Sequence, residues 1–338
     1  SSRRRHTRFR NVTGVQTCAL PIFACSGSDP VEIPPAVVPP PYGKKYTLSA
    51  IGKSGLTFTA EIWEKNYTGA VYQMNTSDSP FVMNCLASND DPFQPILPTT
   101  FTIRADMTGF TGPWPDFLTQ DDRKYHVRFY ANGTTYYIWQ GFILMDTISI
   151  PFTTGRTVID IVCVDGLALL KSVPYLPGTG DINVRESIVK IINNCLTYLL
   201  YPGGYKLNIG VNYYTSTMVT TQGLFRQSYI IPNVWTTGAT SFTSCYDILE
   251  RICTAYGAQL YQSGGEWYLT SVNEKASDTL RIFQTDQDTT ADLLLNKSIN
   301  YEIKPFLSDS VTPYYFINNS QAKRSEEHTS ELQSRFGI

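Results

Sequence analysis

The chain has 338 residues, with 27 Lys+Arg against 29 Asp+Glu and a formal net charge of −2. Only 17% of it is charged, while 42% is hydrophobic and 13% aromatic. That balance excludes a polyelectrolyte tail, leaves room for about two domains with real cores, and favours sheet over helix.

Both ends read as foreign to the rest. Val12–Ile22 and Arg324–Ser334 are what opposite strands of one DNA sequence encode, and that DNA resembles a common sequencing adapter. Residues 1–23 and 324–338 are therefore expected to be artefacts on a fragment of an assembled environmental read, whose protein content lies close to 24–323. Setting them aside removes the arginine-rich Ser1–Arg10, which would pass for a nucleic-acid arm, and the apolar Cys18–Phe23, which would pass for a targeting signal. It also removes His6 and His328, leaving His126. Residues 24–323 hold 20 basic against 26 acidic side chains, a net of −6, so no grip on nucleic acid is expected. No run of eighteen apolar residues exists, so no membrane span is expected either.

Residues 24–43, with prolines at 30, 34, 35, 39, 40 and 41, predict an extended tether. From 44 to about 172 the pattern is that of one mostly antiparallel, barrel-like β domain of about seven strands. Tyr46–Ile51 and Leu56–Trp63 alternate with period two, and Thr100–Ala105 follows a proline-rich loop. Tyr125–Tyr130 and Thr135–Trp139 flank Asn132-Gly133, a strong hairpin signal. Gly141–Asp146 and the β-branched Arg156–Val164 predict two more strands. Asp165–Lys171 predicts a short helical turn.

Residues 173–182 are expected to form a linker, and 183–305 an α+β domain. Asn183 and Glu186 have capping-box spacing before the stripe Ile188, Ile191, Ile192, Cys195, Leu196 and Leu199, which Pro202-Gly203-Gly204 would stop. A second helix is predicted from Ser241 or Ser244, with Phe242, Cys245, Ile248, Leu249, Ile252 and Cys253 inward and Gly257 at its end. Ala258–Gln262, Ser263-Gly-Gly265 and Glu266–Thr270 then predict a tight hairpin. Residues 306–323 are expected to start a truncated region.

Signatures of chemistry are sparse. The chain has no GxSxG, P-loop, HExxH or dinucleotide fingerprint. No catalytic residue, cofactor or metal ligand is expected, and enzyme activity is the less favoured outcome. His126, between Tyr125 and Val127 in a strand, is expected to face solvent or a polar neighbour. The carboxylates Asp121-Asp122, Asp160 with Asp165, and Asp286, Asp288 and Asp292 are read as turns and helix starts. The last series lacks the glycine and terminal glutamate of a calcium loop. The cysteines 85, 163, 195, 245 and 253 are read as unpaired thiols, Cys163 and Cys195 as small buried hydrophobes. The Ile22–Cys25 window hints at a lipid-modified cysteine. Tyr136, Tyr137, Trp139, Tyr213, Tyr214, Trp235 and Trp267 are expected in sheet or subunit packing, the other possibility being a sugar-binding surface.

The run Ile138–Leu144, the loop with Pro151-Phe152, and Val158–Val164 entering Asp165–Lys171 resemble the baseplate hub, or tail-tip, family of phages and prophages of gut Bacteroidales. Ile62–Gly69 fits the opening strand and turn of such proteins. Cys245–Ile252, Tyr256–Gln262 and Gly265–Leu269 fit their helix-then-hairpin unit. The resemblance covers about 44–270. It implies a ring, usually a trimer, at the distal end of the tail tube, contacts with other tail proteins, and a place in the virion tail after assembly in the host cytoplasm. The residues it marks are a structural join of Trp139, Gly141, Asp165, Gly166, Leu167, Leu170 and Lys171, and a helix-hairpin unit of Leu249, Ile252, Tyr256, Gly257, Gly265 and Trp267. Asp165 would cap the turn, and Leu167, Leu169 and Leu170 would pin it. The competing readings are a carbohydrate-binding surface module of a gut bacterium and a fragment of a tail-associated peptidoglycan- or glycan-cleaving enzyme.

Overall fold

The computed structural model describes residues 39–52, 55–86, 93–116, 119–131, 137–148, 156–177, 181–213, 217–238, 241–271, 279–286 and 293–298. The two suspect ends, most of the proline-rich tether and the Asn132-Gly133 turn lie outside them.

The described chain is mainly β. Its first nine strands are β1 (Tyr42–Ile51), β2 (Thr57–Lys65), β3 (Tyr72–Gln73), β4 (Asn75–Cys85), β5 (Ile96–Leu97), β6 (Thr99–Asp106), β7 (Tyr125–Ala131), β8 (Tyr137–Ile143) and β9 (Val158–Val164). Eight of them make one sheet in the order β3-β1-β2-β7-β8-β9-β6-β4. The expected barrel-like closure is not made: the sheet ends in two different edge strands, β3 and β4. Nor is it wholly antiparallel, since β3 lies parallel to β1. One face is apolar because period-two alternation puts Tyr46, Leu48, Ala60, Ile62, Phe101, Ile103, Ala105, Val127, Phe129, Ile159 and Ile161 on it, all buried. The expected break between Thr135–Trp139 and Gly141–Asp146 is absent, because Gln140-Gly141 runs through the middle of β8. Edge strand β4 was hidden by its polar stretch Ser77-Asp-Ser-Pro80, where its register against β6 slips. Proline and an irregular register are features of sheet edges.

After a 3-10 turn at Leu167–Ser172 come β10 (Glu186–Ser187), α1 (Ile188–Thr197), β11 (Lys206–Gly210), α2 (Leu224–Gln227), β12 (Tyr229–Ile230), a 3-10 turn at Pro232–Trp235, α3 (Cys245–Ala255), β13 (Ala258–Ser263), β14 (Glu266–Ser271), β15 (Thr279–Asp286) and β16 (Leu293–Ser298). They build a mixed six-stranded sheet, β16-β15-β11-β14-β13-β5. Its β11–β14 and β13–β5 pairs are parallel. Strand β5 comes from the early part of the chain, so the second sheet closes on residues that precede most of the first.

The capping box at Asn183 does not form. Helix α1 begins five residues later, at Ile188, and Asn183 donates its backbone N–H to Asp181 Oδ1 at 2.9 Å. Glu186 is instead a buried strand residue that accepts from Tyr175 Oη at 2.6 Å and pairs with Lys190. Tyr175, in the expected linker, is wholly buried. Helix α3 starts as its sequence predicts: Ser244 Oγ accepts from Asp247 N at 3.1 Å. Ser244→Ala is expected to cost about 1 kcal/mol of stability. An unchanged urea midpoint would rule the cap out. The hairpin β13–β14 turns through Gly264 and Gly265, both at positive φ (57° and 75°), the geometry of a type I′ turn.

Candidate functional site: the joint between the two cores

The residues marked in the sequence converge where the two hydrophobic cores meet. Phe142 of β8 and Leu167 and Leu170 of the following turn belong to the second core, although their neighbours Trp139, Ile143 and Cys163 belong to the first. Between the cores runs a buried chain of hydrogen bonds. Trp139 Nε1 donates to Thr99 Oγ1 at 2.9 Å. Thr99 donates its backbone N–H (2.6 Å) and its hydroxyl (3.0 Å) to Asp165 Oδ2. Asp165 Oδ1 accepts from Leu167 N at 3.1 Å, so the carboxylate both starts the 3-10 turn and pins it to β6. Gly166, at φ 80°, provides the left-handed residue that lets the backbone turn there. Tyr201 Oη donates to the Asp165 carbonyl. Gln262 Nε2 donates to Tyr201 Oη at 3.3 Å.

Gln262 closes the joint. Strand β9 pairs with β8 only at Phe142 and Ile143, which leaves the backbone of Gln140 facing the second core. The Gln262 carboxamide takes the place of a neighbouring strand, its Oε1 accepting from Gln140 N and its Nε2 donating to Gln140 O, both at 3.0 Å. The Gln140 side chain returns the contact by donating to the Gly265 carbonyl at 3.3 Å. Such a network is worth most when water is excluded, and Gln140, Asp165, Tyr201 and Gln262 are all buried.

Close backbone approach is built into the same place. A Cβ on Gly141 would lie 2.2 Å from the Val164 carbonyl oxygen, and one on Gly265 would lie 2.4 Å from that of Tyr137. Trp267 is wholly buried and stacks parallel to Tyr201, ring centroids 6.4 Å apart. Leu249 and Ile252 are buried in the second core. Tyr256 meets the Phe225 ring edge-on at 4.7 Å, and Gly257 (φ 55°) ends α3. Lys171 stands apart from the joint, its Nζ 4.6 Å from the Tyr246 ring centroid.

His126 is the clearest departure from expectation. It does not face solvent or sit beside an ion; it is wholly buried. The rings of Tyr42, Phe142 and Tyr201 surround it at 5.9, 5.4 and 5.6 Å. Neither ring nitrogen makes a hydrogen bond of ordinary geometry. Burial, and then the nearby Arg128 guanidinium, hold its pKa well below 6.5, and Gln140 opposes them weakly. Arg128 itself lies over the Trp63 ring at 4.7 Å and donates to the Pro202 carbonyl. Arg123 donates to the Tyr198 carbonyl at 3.2 Å, so two cations of the first sheet hold the segment that follows α1. Burial pushes Asp165 up to about 6, against the lowering effect of its bonds from Thr99 and Leu167.

Asp165→Ala would strand the Thr99 and Leu167 donors. The expected loss is about 2 kcal/mol at neutral pH, and an unshifted urea midpoint would refute the pinning role.

Sequence reading did not single out Thr99, Gln140, Tyr201 and Gln262. Gln140 carried a usable signal, as the polar residue inside the apolar run Ile138–Leu144; Tyr201 carried none. The remaining carboxylates do not assemble into acid-base machinery. Asp121 pairs with Lys65, and Asp160 with Arg104 on an exposed face. Asp288 and Asp292 lie outside the described residues. Among the described residues no group of three or more His, Cys, Asp or Glu side chains could hold a metal ion. No helix among them is long and apolar enough to cross a membrane.

No protein-family model matches the chain, and no curated protein does. Among solved structures, one that is similar is the 43 kDa tail protein of prophage MuSo2 from Shewanella oneidensis, at 12% identity and a TM-score of 0.31. The match covers 59% of this chain and 48% of that protein, so it takes in about half of the latter's length. A likeness of that size transfers neither a fold nor a role.

Proposed function

We propose that the chain is a structural, non-enzymatic component of a phage or prophage tail, a baseplate hub or tail-tip protein at the distal end of the tail tube. The observation that carries this reading is the joint. The two stretches that resemble the hub family, the Ile138–Lys171 join and the Cys245–Leu269 helix-hairpin unit, pack on one another through Gln140, Gln262 and Gly265. A tail component has to transmit load between a wall-forming sheet and the apparatus beyond it. A buried, hydrogen-bonded seam between two cores suits that task better than a flexible tether does. In this reading the chain self-associates, as a trimer, contacts other tail proteins, and resides in the virion tail.

The carbohydrate-binding alternative draws less support. Of its candidate aromatics, Trp139, Trp235 and Trp267 are buried, while Tyr213 is exposed. Sedimentation of the purified chain should give the mass of three copies. The gene neighbourhood gives an independent test: tail-tube and tape-measure genes beside this one are the expected result. A monomer encoded among polysaccharide-use genes would overturn the proposal.

A further inference from the structure

Helices α1 and α3 pack against each other in the second core. Cys195 lies on α1 and Cys245 is the first residue of α3, and both are wholly buried. Their thiols are neighbours, close enough for a side-chain hydrogen bond. The backbone fixes both positions. Cys245 N donates to the Val173 carbonyl at 2.8 Å, Ser244 caps the helix behind it, and Cys195 lies within the hydrogen-bonded body of α1. Both are free thiols, as are Cys85, Cys163 and Cys253. Cys163 belongs to the other core.

We propose that Cys195 and Cys245 form a dithiol–disulfide site that oxidation converts into a staple between the first and third helices. The chemistry needs a small-molecule disulfide, and oxidised glutathione serves. One protein thiolate attacks it, a mixed disulfide forms and one glutathione thiolate leaves. The second protein thiol gives its proton to solvent and attacks the protein sulfur of the mixed disulfide. The Cys195–Cys245 bond forms and the second glutathione thiolate leaves. Two electrons pass from the protein thiols to glutathione, and the two released protons are taken up by the glutathione thiolates.

Burial sets the rate. Desolvation, and the nearby Glu186 carboxylate, hold the Cys195 thiol well above its usual range, so little thiolate exists in the closed core. Oxidation therefore passes through separation of α1 from α3, or occurs during folding before they dock. A cytosolic glutathione poise keeps the pair reduced, and an oxidising exterior favours the bond. The cross-link closes a loop of about fifty residues and restricts the unfolded chain, which should raise the melting temperature by on the order of 10 °C.

Tryptic cleavage separates the relevant cysteines. It releases Cys195 in 191–206, Cys245 in 227–251 and Cys253 in 252–275. The purified chain is refolded in a buffer of oxidised and reduced glutathione, alkylated in denaturant without reduction, and digested. The expected product is peptide 191–206 joined to 227–251, two hydrogen masses below their sum, with a melting temperature that falls back on adding dithiothreitol. Cys195→Ala should abolish both the cross-link and the redox-dependent shift in melting. Full alkylation of both cysteines after refolding would overturn the proposal, as would a cross-link from 191–206 to the Cys253 peptide. The peptide map of the unaltered chain decides the matter even where the variant folds poorly.

Discussion

Gly141→Ala is expected to lower the unfolding free energy by at least ~3 kcal/mol, at the upper end of overpacking costs. The added Cβ would lie 2.2 Å from the Val164 carbonyl oxygen and 2.4 Å from the Trp139 ring. Neither can retreat cheaply. Val164 is paired with Phe142 on one side and Thr100 on the other, so its carbonyl belongs to a three-strand ladder. The Trp139 indole is held by its bond to Thr99 Oγ1, which in turn bonds Asp165. Moving β8 away from β9 would also pull Gln140 off Gln262 and loosen the joint. Gly55→Ala is the matched comparison. Its Cβ meets nothing within 4 Å and only the positive φ of 77° opposes it, so a loss of about 1–2 kcal/mol is expected. Urea unfolding followed by tryptophan fluorescence separates the two. Equal midpoints for both variants would show that the close approach at Gly141 does not set stability.

Local pattern made much of the first sheet legible, and the failures share a cause. Alternation in β1, β2, β6 and β7 and the β-branched run of β9 were readable because each strand presents one face to its own core. Ser244 and the Gly264-Gly265 turn were readable because caps and type I′ turns depend on a few adjacent residues. His126 was misplaced because its strand position is shared with Arg128 and Tyr130, both only partly buried. Alternation alone therefore assigns it to the solvent side. It is buried because Tyr201, seventy-five residues further on, covers that side. Gln140 and Gln262 work only as a pair, and no periodicity in either segment announces the other. The early end of β8 was misread for a related reason: Gln140-Gly141 looks like a strand break until a second core supplies the partner that β9 does not.

The joint also carries two ionisable groups whose protonation acts on stability in opposite directions, and substituting either should expose the other. Burial depresses the His126 pKa, so the unfolded chain binds that proton more tightly than the folded one does. The stability this confers is complete above 6.5, the ordinary value, and is lost as pH falls below it, by about 1.4 kcal/mol per unit. Burial raises Asp165 from 3.8 to about 6, so the folded chain is the better acid-side binder there. Its contribution is complete below 3.8 and is lost as pH rises to about 6, some ~3 kcal/mol in all. Between about pH 4 and 6 the two slopes cancel in the unaltered chain. His126→Phe keeps the aromatic packing of Tyr42, Phe142 and Tyr201 and removes one slope, so this variant should gain about 3 kcal/mol relative to the unaltered chain as pH falls from 6 to 4. Asp165→Asn should behave oppositely and lose stability steadily below pH 6.5. Surface carboxylates such as Asp106, held low by Thr108 and Arg156, are common to all three proteins and drop out of the differences. Urea midpoints measured at pH 4, 5, 6 and 7 give those differences directly. Three parallel curves would mean that neither group changes its protonation between the folded and unfolded chain, and the buried joint would lose its electrostatic account.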